Sequence, residues 1–159
     1  MICWKYAFGF PQNTTNLAAA MPFTPRTIET RCASMRLVAP GFIEQRFRAD
    51  ATLNIAGFEE NRVARHDLGS NMPYVMLTFI PEGIDFDLQV TSTDHFKPER
   101  GTNQMRALAV VVSDGMGEAI AKLYFSYFPT EFPARVFHEE RAAREWLADA
   151  QSATQAEAV

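Results

Sequence analysis

A chain of 159 residues with a net charge of -4, 47% hydrophobic and 21% charged residues has the size and balance of one globular domain. These figures exclude wholesale disorder, a collagen-like repeat and a disulfide scaffold, and the acidic balance argues against nucleic acid as a partner. No apolar run approaches the roughly 20 residues that a membrane-spanning helix requires.

Charge is partitioned along the chain. Residues 1–40 hold Lys5, Arg26, Arg31 and Arg36 against the single acid Glu29, whereas the remainder holds 11 basic and 18 acidic residues. Gly9, Pro11, Pro22 and Pro25 punctuate the opening segment, and neither a helical nor a strand period survives there. Residues 1–34 therefore read as a poorly ordered extension, too interrupted for a secretory signal and too poor in basic residues for a transit peptide. Met35 opens the first patterned stretch and is a candidate native start. Both cysteines, Cys3 and Cys32, fall in the extension, so a reducing, cytoplasmic setting is expected, with no structural bridge and no zinc site.

From Met35 the pattern alternates. Residues 35–38 and 42–47 read as two strands of a hairpin across Pro40-Gly41. Residues 53–68 read as a helix with Ile55, Phe58, Val63 and Leu68 turned inward, stopped by Gly69-Ser70-Asn71. Residues 74–80 are almost uninterruptedly apolar, as a strand buried on both faces would be. Ser92 or Thr93 is placed to cap a short helix ending at Gly101. Residues 109–112 form the most strand-like core segment. Met116, Ile120, Leu123, Tyr124 and Tyr127 then recur at helical spacing as an expected inward stripe, ended by Pro129. A strand over 134–138 follows, and then a helix carrying Ala142, Ala143, Trp146, Leu147 and Ala150. Strands first and helix–strand alternation afterwards imply an α/β fold with a mixed sheet and helices packed against it. The stretch 152–159 reads as a fraying tail.

Residues 105–147 resemble the small bacterial SpoIIAA-like proteins of the STAS superfamily. The features that carry this are the apolar strand at residues 107–112, the helix from Met116, Pro133, Arg135-Val136-Phe137, Glu139-Glu140, and Ala143 followed by Trp146-Leu147. The resemblance implies a STAS-like domain over residues 35–151, with a mixed sheet of about five strands. It also implies a non-enzymatic module that binds a protein partner or itself. In superfamily phospho-switches the acceptor serine opens a helix after a central strand. Thr91, Ser92 and Thr93 stand near that place as a candidate phosphoacceptor or partner loop, although no Asp-Ser-Ser-Gly motif is present; the plainer reading is an ordinary cap.

Other chemistry is thinly signalled. His66, His95 and His138 each neighbour an acid but show no two-histidine spacing on one helical face, and read as solvated surface. Ser113-Asp114-Gly115 lacks the flanking glycines of a nucleophile elbow and reads as a turn plus cap. Gly115 and Gly117 lack the lysine of a phosphate loop. No catalytic residues, metal or cofactor are assigned. Phe125, Phe128 and Phe132 lie off the helical stripe, as candidates for an apolar pocket or a dimer contact. They carry the alternative function, a carrier of a small apolar ligand.

Overall fold

The computed structural model describes residues 22–157. Strand β1 (Arg26–Glu29) pairs antiparallel with β2 (Ala33–Ala39), which pairs antiparallel with β3 (Phe42–Phe47). The turn between β2 and β3 uses Gly41 at a φ of +68°, a left-handed conformation that glycine adopts without strain. A two-residue strand β4 (Thr52–Leu53) precedes helix α1 (Ile55–Gly69). The Asn54 side chain caps α1 by accepting from the Gly57 amide at 2.8 Å, and Ser70 ends it in the left-handed region, where the expected stop lies.

Next come β5 (Tyr74–Ile80), the short β6 (Asp85–Phe86), the four-residue α2 (Leu88–Thr91), and one turn of 3-10 helix over Lys97–Glu99. Strand β7 (Met105–Val112), helix α3 (Gly115–Tyr127), strand β8 (Ala134–Phe137) and helix α4 (Glu140–Glu157) complete the order. The main sheet runs β1-β2-β3-β5-β7-β8, with β3, β5, β7 and β8 parallel. Strands β4 and β6 form a separate parallel ladder that ties the segment after β5 to the entrance of α1.

Three parallel steps in one direction put their crossovers on one face, as a constant handedness demands. Helices α1 and α3 share that face, packed over a core built from Met35, Ile43, Leu68, Met76, Leu108, Val110 and Ala121. Helix α4 alone covers the other face, against Val75, Leu77, Ala107, Ala109 and Val111. Period-two alternation sorts the strand residues between the two cores. Leu147 is wholly buried there, which stabilises the fold by about 1.5–3 kcal/mol, and Trp146 sits 5.7 Å from the Phe137 ring. Arg144 on α4 pairs with Glu44 on β3, a buried carboxylate, and Arg46 lies 3.5 Å over the Phe79 ring.

The expected mixed α/β class is observed, with one strand more than expected in the main sheet and the β4–β6 ladder beside it. The extra strand is β1, and it corrects the boundary drawn at residue 34. Cys32 and Ala33 are fully buried, and Met35 is a buried residue inside β2, so the sheet begins ahead of the expected domain start. Residues 1–21, with Cys3, lie outside the described residues. At the other end, α4 continues to Glu157 through most of the expected tail.

Both expected helix faces also need correction. On α1 the buried positions are Gly57, Asn61, Ala64, Arg65, Leu68 and Gly69; of the residues expected inward, Leu68 is buried and Phe58 half-buried, while Ile55 and Val63 are exposed. On α3 the inward face is one residue further along than expected. Ala121 is buried and Phe125 packs against the core, whereas Met116, Leu123 and Tyr127 are exposed. One residue is about 100° of helix rotation, enough to turn Met116, Leu123 and Tyr127 towards solvent, while Ile120 and Tyr124 of the same stripe stay half-buried on the inner side.

Candidate functional site: a cavity between the sheet and helices α1 and α3

A cavity of about 210 Å³ lies on the face shared by α1 and α3. Its floor is the upward-facing set of three adjacent strands: Gln45 and Phe47 from β3, Met76, Thr78 and Ile80 from β5, and Leu108 and Val110 from β7. One wall is α1, through Phe58, Asn61 and Arg65, and the opposite wall is α3, through Ile120, Ala121, Tyr124 and Phe125. The segment after β5 closes the end with Ile84, Phe86, Val90, His95 and Phe96, held there by the β4–β6 ladder and by the Asp87 amide donating to the Leu53 carbonyl at 2.8 Å. The lining residues Gly83 and Met116 are exposed and mark the mouth.

Polar groups enter this apolar space at defined points. Gln45 and Thr78 are paired in register across β3 and β5, and each is about 5% exposed or less. The Thr78 hydroxyl is buried without a hydrogen-bond partner, and so is Nε of Arg65. Buried polar atoms are otherwise almost always bonded, so two orphans on residues that line one cavity are notable. The Arg65 guanidinium donates from Nη2 to Glu99 Oε1 at 2.6 Å. Asn61 points away into its own network, accepting from the Thr30 hydroxyl at 2.6 Å and donating to Cys32 Sγ at 3.4 Å. Burial raises the pKa of the Cys32 thiol, which keeps it a neutral thiol.

His95 is a wall residue, not the solvated surface residue its sequence context suggests. Its ring lies 4.2 Å from Phe58 and 5.9 Å from Tyr124, centroid to centroid. Nε2 is 2.8 Å from the Val90 carbonyl, a pairing that requires the proton on Nε2. Burial lowers the His95 pKa, and the imidazole is neutral near pH 7. The Tyr124 hydroxyl accepts from the His95 amide at 2.9 Å and donates to the Thr93 carbonyl at 3.2 Å; burial pushes its own pKa up to about 12. This network fastens the segment after α2 to α3.

The residues singled out from sequence are distributed unevenly. Phe125 lines the cavity, whereas Phe128 packs on Tyr124 at 5.2 Å and Phe132 packs edge-on to Phe96 at 5.5 Å. Thr91 lines the cavity rim. Thr91, Ser92 and Thr93 do not open a helix, as their capping role expected. Their hydroxyls donate backwards to the carbonyls of Leu88 and Gln89 at the end of α2, where the helix dipole disfavours added negative charge. Asp114 caps α3 through the Gly117 amide, as expected. His66 and His138 are exposed, the latter 2.8 Å from Glu118. Among the described residues no group of three or more His, Cys, Asp or Glu is placed to hold a metal ion, and no helix is long and apolar enough to cross a membrane. Gln45, Arg65 and Thr78 carry no sequence motif; the one available signal is that Thr78 interrupts the apolar run of β5.

Residues 41–151 match a family described as a domain of unknown function (DUF7793). The chain belongs to that family. The matched span contains every residue that lines the cavity, from Gln45 to Phe125. No curated protein matches the chain by sequence. Among solved structures, the chain is similar to an uncharacterized protein of the DUF3478 family from Shewanella loihica PV-4, described as having a SpoIIAA-like fold. The two share 15% identity with a TM-score of 0.49, over 78% of this chain and 92% of that one.

Proposed function

We propose that the chain is a non-enzymatic STAS-like binding module and that it holds a small, largely apolar molecule between its sheet and helices α1 and α3. The carrying observation is the cavity itself, apolar on most of its lining and with a few polar groups on its floor and walls, which is how small-molecule sites are usually built. An apolar cavity of about 150 Å³ accommodates benzene, so this one suits a molecule somewhat larger than a single ring. Binding rather than turnover is favoured because the Thr78 hydroxyl has no base beside it and His95 Nε2 is committed to a backbone carbonyl. A cytoplasmic setting belongs to the same reading, supported by Cys32 as a free, buried thiol.

Native mass spectrometry of the chain purified from its host tests this. A stoichiometric apolar adduct, released on denaturation, is the expected result. A bare chain that also takes up no hydrophobic fragment would overturn the reading.

A second reading, self-association through α3, has one observation in its favour. Met116, Leu123 and Tyr127 make an exposed apolar stripe on its outer face. Sedimentation over a range of concentrations should then show a dimer that Leu123→Lys abolishes; a monomer throughout would remove it.

A further inference from the structure

We infer that the occupant of this cavity is a neutral molecule whose polar end is a hydrogen-bond acceptor seated at Thr78 and Arg65. The inference rests on the cavity reading above and adds the chemistry of the ligand's head.

The unsatisfied groups set the requirement. Arg65 Nε carries a hydrogen and no lone pair, so only an acceptor can satisfy it. The Thr78 hydroxyl, from the floor of the same cavity, is a second group that can donate, and both atoms are buried without partners within the protein. Gln45, in register beside Thr78, adds an amide that can donate as well.

Charge then decides between an uncharged acceptor, such as a carbonyl or hydroxyl oxygen, and a carboxylate. The Arg65 cation is already matched by Glu99 at 2.6 Å, with both side chains nearly out of water. The other formally charged lining residue is Asp114, an anion engaged in capping α3. An anionic head would therefore enter a desolvated space with no free counter-charge, which is costly. An uncharged acceptor supplies the missing bonds and brings no net charge.

Three probes of nearly equal size separate these cases: acetophenone (neutral, with an acceptor), cumene (apolar) and benzoate (anionic). Titration into the isotopically labelled full chain, followed by NMR, reads each affinity. Acetophenone is expected to bind about tenfold more tightly than cumene, the effect of one well-placed hydrogen bond, with benzoate weaker than both. Thr78→Val, which keeps the shape of the side chain, should erase the preference for acetophenone while leaving cumene binding in place, and Thr78→Ser should keep it. Equal binding of acetophenone to wild type and Thr78→Val, or benzoate binding as tightly as acetophenone, would overturn the assignment of the head while the cavity reading stands. Failure of both acetophenone and cumene to perturb the cavity resonances would overturn the two together.

Discussion

Arg65 and Glu99 meet at 2.6 Å with side chains only 6% and 12% exposed, and they join α1 to the 3-10 turn ahead of β7. The pair closes the segment that walls the cavity, and Arg65 also lies over the Phe96 ring at 5.6 Å.

Removing one partner strands a buried charge. Glu99→Ala is expected to cost about 3–5 kcal/mol in urea unfolding. The double variant Arg65→Met, Glu99→Leu should recover most of that loss, because no charge is then left without a partner. A double variant as unstable as Glu99→Ala alone would show that the pair itself, rather than the stranded charge, sets the stability.

Thr78 makes the opposite prediction. Its hydroxyl is buried and has no hydrogen-bond partner within the protein, so Thr78→Val should stabilise the protein by about 1–2 kcal/mol. Calorimetry of the two forms checks this. A destabilised Thr78→Val would mean that the hydroxyl already has a partner.

Two leucines test the helix assignments with one substitution. Leu147 is fully buried on the inner face of α4, whereas Leu123 is 56% exposed on α3. Leu147→Ala should cost about 2–5 kcal/mol, and Leu123→Ala less than about 0.5 kcal/mol. Similar losses at both sites would place the α3 face wrongly.

A chain beginning at Met35 should lose stability sharply. It lacks β1 and the fully buried Cys32 and Ala33, and it removes both partners of Asn61, Thr30 and Cys32. Circular dichroism of the shortened chain is expected to show a much lower melting temperature. An unchanged melt would mean that the sheet holds without its first strand.

Acid should weaken the fold through His95. Its folded pKa is lowered by burial from the ordinary value of 6.5. The unfolded chain therefore takes up the proton first as pH falls. The contribution is intact above pH 6.5 and declines as pH drops from there through the folded pKa. Stability measured from pH 7.5 to 5 should fall less steeply in His95→Phe than in wild type; equal slopes would clear His95 of the effect.

Much of the fold was legible because strands β5 and β7 are short, nearly continuous apolar runs between turn residues, as strands buried on both faces are. The Pro40-Gly41 turn and the Asp114 cap were legible for equally local reasons. The inward face of α1 was not, because Asn61 and Arg65 occupy it, and polar residues at core positions read as surface until their partners are known. Those partners lie elsewhere in the chain, at Thr30, Cys32 and Glu99. Helix α3 failed for a different reason. It is apolar on two sides, so periodicity finds an apolar stripe without saying which one meets the sheet. The cavity draws on both sets: Phe58, Ile120 and Tyr124 line it from positions that the pattern turned inward, whereas Asn61, Arg65 and Phe125 line it from positions that the pattern left outside.

The two rims of the main sheet are short. Strands β1 and β8 have four residues each, and β1 places Arg26 and Glu29 in ion pairs with Asp67 and Arg48. The stretches most prone to self-templated stacking, in β5 and β7, are held inside that frame. Strand-by-strand growth into fibrils is thus blocked until the native sheet opens, so loss of an outer strand would endanger solubility before it endangered the cavity.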